Sequence, residues 1–157
     1  MERLFISGSR SITTLTAMLR ETLDKVMSQS PTVLIGDADG ADALVQNCLA
    51  DKGYRNVIVC HSGYRLRNCI GDWPTQLVES TARPGTREFY TAKDVVMADA
   101  ATIGLALWDG MSRGTLRNMI HMGGQEKAVA VFLTQPDSLE LAESRGDLQK
   151  IIRAWSR

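Results

Sequence analysis

The stretch ATIGLALWDGMSRGT, residues 101–115, decides the fold. It opens with a short apolar run, residues 101–108, and continues into a loop with two glycines before a segment of helical spacing. Wholly apolar strands are typical of a parallel sheet that is covered by helices on both faces. Glycines after such a strand let backbone N–H groups approach a ligand, and the start of the next helix favours an anion. The stretch therefore predicts a buried parallel strand with an anion site at its end.

The rest of the chain repeats this alternation of short apolar strands and helices, which predicts an α/β domain of three layers. We expect a mainly parallel sheet of about five strands and a single domain over residues 1–157. Residues 61–86, rich in glycine and proline and without periodicity, are expected to form a long loop, called the excursion below. Strands are predicted at residues 3–7, 32–35, 56–60, 101–108 and 128–133, and helices at 15–27, 41–52, 87–98, 112–122 and 139–155.

The amino-acid composition and the net charge limit the classes of function that the chain can have. Of the 157 residues 44% are apolar and 23% charged, and the formal net charge is zero. A protein that grips DNA through its phosphates usually has a basic excess, so the neutral charge disfavours a nucleic-acid partner. The three cysteines match no zinc spacing and fit a reducing compartment. No signal segment or membrane span is evident, so we expect a cytoplasmic protein without a membrane partner.

Two further glycine-bearing loops follow predicted strands. Loop one is Ser7-Gly8-Ser9-Arg10, which suits a phosphate or carboxylate but also fits a strand-to-helix turn with a serine N-cap. Loop two runs from Gly36 to Asp42, and its three aspartates suit ribose hydroxyls, a metal-bridged phosphate or helix capping. Its candidate binding residues are Gly36, Asp37, Asp39, Gly40, Ala41 and Asp42.

Loop three, residues 109–115, carries the strongest local signal. Its backbone amides are placed to cradle phosphate oxygens, and the alternative is a tight connection with Ser112 as the helix N-cap. In the excursion, Arg67 and Trp73 have two interpretations. Either they clamp a charged ring by ion pairing and stacking, or Arg67 lies in a solvated basic loop and Trp73 fills the core. Candidate ligand residues of loop three and its strand are Trp108, Gly110, Ser112, Gly114 and Thr115, with Asp109 as the candidate catalytic carboxylate.

Together the three loops resemble the SLOG superfamily, which includes YspA-like and YpsA-like proteins, DNA-processing protein A and the Lonely Guy phosphoribohydrolases. The resemblance covers most of residues 1–133. The segments TAKD, residues 91–94, and RNCIGDWP, residues 67–74, look like one bacterial branch of this group and add Lys93 to the candidate ligand residues. The resemblance implies a Rossmann-like fold, a nucleotide-type ligand and a homodimer.

Function divides within that superfamily, and one departure bears on the choice. Phosphoribohydrolases carry P-G-G-x-G-T-x-x-E, whose glutamate serves catalysis, whereas here Gly114-Thr115 leads to Asn118. An asparagine does not act as a general base. We therefore expect binding or sensing of a nucleotide or nucleotide-derived ligand. The alternatives are an N-glycosidase that cleaves a base–sugar bond, and a DNA-processing module. No certain cofactor follows, and Mg²⁺ is expected only beside a phosphorylated ligand.

Overall fold

The computed structural model describes residues 2–157 and contains, in that range, one seven-stranded sheet and five helices. The strand order is β4-β3-β2-β1-β5-β6-β7, and every neighbouring pair is parallel except β6 and β7. The strands are β1 Arg3–Gly8, β2 Thr32–Gly36, β3 Val57–His61, β4 Thr75–Leu77, β5 Ile103–Trp108, β6 Ala128–Leu133 and β7 Ser138–Ala142. The helices are α1 Ala17–Ser28, α2 Ala41–Asp51, α3 Arg87–Ala100, α4 Arg113–Gly124 and α5 Arg145–Trp155.

Helices cover the sheet on both faces, as the apolar strands predict. Successive side chains of a strand point to opposite faces, so Ile6 of β1 belongs to one buried cluster and Phe5 to the other. Leu19 of α1 and Val45 of α2 pack into the first cluster. The second cluster contains, from α3, α4 and α5 respectively, Met97, Met119 and Leu148. The expected three-layer Rossmann-like α/β architecture is confirmed.

The number of strands differs from the expected five, because β4 and β7 were not predicted. Strand β4 lies inside the excursion and is too short, at three exposed residues, to show any periodicity. The prediction of helix from residue 139 onward is wrong for β7. The segment SLELA, residues 138–142, alternates with a period of two, and it pairs antiparallel with β6 after a short turn. Helical spacing begins only with α5.

Cys48 and Cys60 are buried free thiols, and Cys69 is a half-buried free thiol. Within residues 2–157, no helix is long and apolar enough to cross a membrane.

A close approach between loops one and two fixes the strand ends that carry the site. A Cβ at Gly8 would lie 2.4 Å from the Cβ of Ala41, which opens α2. Gly40 has a φ of +80°, and a Cβ there would lie 2.2 Å from the carbonyl oxygen of Arg10. The Ala41 amide donates to the Ser9 carbonyl over 3.2 Å. Only glycines permit this contact, so β1 and α2 are held at one distance.

The substitution Gly8→Ala tests this contact. The added methyl group must push α2 away from β1, and overpacking of this kind lowers the free energy of unfolding by about 1–3 kcal/mol. Gly114→Ala is the matched control, because nothing lies within 4 Å of its Cβ position. In the first turn of α4 the control should keep or raise stability by up to about 1 kcal/mol. Urea unfolding measures both, and equal stability of the two variants would contradict the close approach.

Candidate functional site

A cavity of about 880 Å³ lies at the carboxyl ends of β1 and β2, between α3 and the beginning of α4. In open α/β sheets the crevice beside such strand ends is the usual ligand site. Ser7 and Gly8 line it from β1 and Gly36 from β2. Its lining includes two acidic residues, Asp42 and Asp94, and six cationic ones: Arg10, Arg67, Arg87, Lys93, Arg113 and Arg117. The cavity is therefore strongly cationic on a chain of zero net charge.

Lys93 is the buried member of these six cationic residues. It is only 5% exposed, and its Nζ donates a hydrogen bond of 3.1 Å to Oδ1 of Asp94. The Nδ2 of Asn118 donates to the other oxygen of Asp94 over 3.4 Å. Gly36 provides the space, since a Cβ there would lie 2.7 Å from Asp42 Oδ2 and 3.2 Å from Lys93 Nζ. The ammonium is thus held above the end of β2, between two carboxyl groups.

Asp42 is the carboxyl group of the cavity whose protonation is most altered. Burial raises its pKa to about 7, while the charge of Lys93 opposes this rise and that of Asp94 adds to it. The Ala38 amide donates to its Oδ2 over 3.2 Å. A carboxyl group that titrates near neutrality inside a cavity is able to take up and release a proton under ordinary conditions.

The neighbouring Asp37 has a different environment and a different charge state. It accepts a hydrogen bond of 2.8 Å from Nη2 of Arg67 and one of 3.0 Å from the Arg67 amide. Burial alone would raise the pKa of Asp37, but the hydrogen bonds and charge of Arg67 outweigh it and hold the pKa below its usual value. The Arg67 guanidinium also stacks on Tyr90, with Cζ 4.5 Å from the ring centroid. Asp37 and Tyr90 together hold Arg67 at the cavity wall.

The excursion is attached to the strand ends by buried polar contacts. Gln46 is fully buried on α2, and its Nε2 donates to the carbonyl oxygens of Gly36 and Asn68 over 3.0 and 3.2 Å. Its Oε1 accepts from the Ile70 amide over 3.0 Å. The Asn68 Nδ2 donates to the Asp37 carbonyl and to Asp39 Oδ1, each over 2.9 Å. These hydrogen bonds tie residues 68–70 of the excursion to the end of β2 and to loop two.

Loop three is organised by its own hydrogen bonds. Asp109 Oδ1 accepts from the amides of Met111 and Ser112 over 2.8 and 2.7 Å, and Oδ2 accepts from the Ser11 hydroxyl over 2.7 Å. Burial alone would raise the pKa of Asp109, but these bonds outweigh it and lower the pKa. Ser112 is the N-cap of α4, accepting from the Thr115 amide. The carboxylate of Asp109 thus orders the turn that precedes the helix.

The structure brings together part of the predicted site residues. Seven of them, the catalytic candidate included, do not line the cavity but belong to the loops around it: Ser9, Asp37, Asp39, Gly40, Ala41, Asp109 and Gly110. Trp73 and Trp108 are core residues whose indole N–H groups donate to the carbonyls of Tyr54 and Ser112. Lining the cavity are Ser7, Gly8, Arg10, Gly36, Asp42, Arg67, Lys93, Ser112, Gly114 and Thr115.

Several lining residues were missed from sequence. Arg113 and Arg117 lie four residues apart on α4 and so share one face of that helix. Arg113 belongs to loop three, so its spacing of four residues to Arg117 is a sequence signal that could have placed both at the cavity. Asn118 stood out only as the residue in place of a catalytic glutamate, and Asp94 had no signal of its own. The packing of α3 against α4 brings the two together.

The three aspartates of loop two do not converge on a common point. Asp37 faces Arg67, Asp39 is exposed beside Asn68, and Asp42 faces Lys93. Among residues 2–157 no group of three or more histidine, cysteine, aspartate or glutamate side chains is placed to hold a metal ion. Mg²⁺ carried by a phosphorylated ligand stays a prediction.

No protein-family model matches the chain, and no curated protein matches it in sequence. Among solved structures, it is similar to DNA processing protein A from Helicobacter pylori, described for its single-stranded DNA binding mode. The match has a TM-score of 0.62 at 15% identity and covers 99% of this chain and 74% of that one. At this identity the similarity establishes the fold.

The comparison corrects one expectation. The neutral net charge was used to disfavour a nucleic-acid partner, but a protein of this fold is described as binding single-stranded DNA. Net charge averages over the whole surface, whereas binding depends on local potential. In this chain the cavity alone gathers six cationic side chains, so the argument from zero net charge is wrong.

The raised pKa of Asp42 gives a prediction for stability against pH. The folded state holds the Asp42 proton up to about pH 7, whereas an unfolded aspartate releases it near pH 4. Between these values the folded state binds more protons, so this group makes stability fall as pH rises. Asp42→Asn should remove that fall, a few kcal/mol between pH 4 and pH 7.5.

Urea titrations at several pH values measure the effect, with Asp24→Asn on the exposed face of α1 as the control. The control should keep the slope of the parent protein. If Asp42→Asn keeps it as well, Asp42 is ionised throughout the range and its assigned environment is refuted.

Proposed function

We propose that the chain binds a nucleotide or nucleotide-derived ligand in the main cavity, with a phosphate at the beginning of α4. The observation that carries the proposal is the concentration of six cationic side chains at the carboxyl ends of parallel strands. A cavity of about 880 Å³ is within the range of small-molecule sites and has room for a whole nucleotide. Its charge calls for an anion.

The first turn of α4 is the best-equipped position for the phosphate. Ser112, Gly114 and Thr115 line the cavity there, and the helix N-terminus adds a favourable field. Nothing lies within 4 Å of the Gly114 Cβ position, so the backbone is open to a close ligand. Arg113 and Arg117 flank this turn and supply charge.

The family relationship supports the same ligand class. We infer membership of the SLOG superfamily from loops one to three together with the similarity to DNA processing protein A. That protein is described as binding single-stranded DNA, which is a chain of nucleotides. A free nucleotide and a nucleotide unit within a strand share the phosphate chemistry that this cavity fits.

Calorimetry with nucleoside 5′-monophosphates, dinucleotides and a single-stranded oligonucleotide tests the proposal. Arg113→Gln should weaken binding about threefold to tenfold at low salt, because one cation beside the phosphate is lost. Arg153→Gln on the exposed face of α5 is the control and should leave affinity unchanged. Absence of binding to every compound at millimolar concentration would refute the proposal.

Hydrolysis of the base–sugar bond is a second candidate function, favoured by one contact. The position where phosphoribohydrolases carry glutamate is Asn118 here, and Asn118 donates to the carboxylate of Asp94. A carboxylate is therefore retained within hydrogen-bond distance, where it can stabilise an oxocarbenium-like transition state. Asp42, with its pKa of about 7, can supply the proton that the leaving base takes, and water supplies the hydroxyl group.

Chromatographic detection of free base from a panel of nucleotides tests this candidate. In the proposed scheme Asp94→Asn should reduce base release at least a hundredfold, since it removes charge stabilisation in the transition state. Asp109→Asn is the comparison, because Asp109 lies outside the cavity lining and should leave most activity. Undetectable base release by the unmodified protein would exclude the candidate and leave the binding proposal intact.

A further inference from the structure

A second cavity of about 570 Å³ adjoins the main one. Arg67, Gly85 and Tyr90 line both, so a single layer of residues separates the two spaces. The second cavity lies within the excursion and the beginning of α3, beyond the cationic floor of the main cavity. Its position makes it the natural extension of any ligand that fills the first.

The lining of the second cavity is more aromatic than that of the main one. Phe89 and Tyr90 meet edge to face, with centroids 5.2 Å apart and an interplanar angle of 83°. Tyr64, which is 91% exposed, stands at its rim, and Leu77 adds an aliphatic surface. The Arg67 guanidinium on Tyr90 offers a further flat group. Such walls favour a planar ring by stacking.

A buried polar atom in this wall lacks a partner. Ser62 is 4% exposed. Its Oγ is buried and has no hydrogen-bond partner within residues 2–157. Ser62 follows β3 directly and lines the second cavity. Leaving a buried hydroxyl unpaired costs free energy, and a ligand with a polar ring edge would recover it.

We propose that the second cavity binds the nucleobase of the ligand whose phosphate occupies the main cavity, with Ser62 Oγ hydrogen-bonded to the edge of the base. The inference rests on the proposed nucleotide function and deepens it. The two compartments match the two ends of a nucleotide, an anionic phosphate and a flat, uncharged base. Arg67 and Tyr90 then form the wall beside the sugar, and Asp37 fixes Arg67 there.

Comparison of two probes separates the base from the phosphate. Ribose 5-phosphate carries only the part proposed for the main cavity, and the four common nucleoside 5′-monophosphates add the base. The unmodified protein should bind at least one monophosphate tenfold or more tightly than ribose 5-phosphate. Ser62→Ala should lower the affinity for that monophosphate about threefold to tenfold, the effect of one hydrogen bond, and leave the affinity for ribose 5-phosphate unchanged.

Two variants complete the experiment. Phe89→Leu keeps an apolar side chain but removes the ring, and it should also weaken binding of the monophosphate only. Ser28→Ala, exposed at the end of α1, is the control for Ser62→Ala and should change neither affinity. The melting temperature of Ser62→Ala should equal or exceed that of the parent, because the lost hydroxyl has no partner within residues 2–157 and its unpaired burial costs free energy.

The outcomes distinguish the two proposals. Equal affinity for the monophosphates and ribose 5-phosphate in the unmodified protein overturns the base subsite and leaves phosphate binding in the main cavity standing. If Ser62→Ala loses affinity for both probes equally, the base subsite is overturned too, since Ser62 would then act through the fold. Absence of binding to both probes overturns the base subsite, and it refutes the proposed function as well if the dinucleotides and the oligonucleotide also fail to bind.

Discussion

The site depends on one buried charge, the ammonium of Lys93. An ammonium that is 5% exposed is tolerated in a protein interior only with partners that compensate its lost hydration. Asp94 supplies the hydrogen-bonded carboxylate, and Asp42 lies beside the same Cβ position of Gly36 as the ammonium. Helix α3, helix α2 and strand β2 must therefore meet at one point. The cavity is the space that this meeting leaves open.

Two carboxyl groups of loop two show how position decides chemistry. Asp37 and Asp42 are five residues apart, and both are buried. Arg67 keeps the first ionised, whereas the burial of the second outweighs the charge of Lys93 and raises its pKa to about 7. The first carboxylate thus holds the wall of the cavity. The second is left to respond to protons and to the charge of whatever enters.

The fold was largely readable from the sequence, and the site only in part. Apolar strands such as β5 and β6 carry their own pattern, whereas the three exposed residues of β4 depend on their pairing with β3. Glycine-bearing loops pointed to the strand ends where the main cavity lies. Asp109 was chosen as a catalytic carboxylate for its place after a strand, but the side chain turns into its own loop. A side chain's direction depends on local hydrogen bonds that residue order does not reveal.

The clamp formed by Gln46 has a consequence for the dynamics of the excursion. Loop amides usually exchange their hydrogens with solvent rapidly, because they open without disturbing the core. The Ile70 amide instead donates to a fully buried side chain that also holds the end of β2. Its exchange therefore requires the contact between Gln46 and the excursion to open. In deuterated water this loop hydrogen should exchange more slowly than those of loop amides that face the solvent.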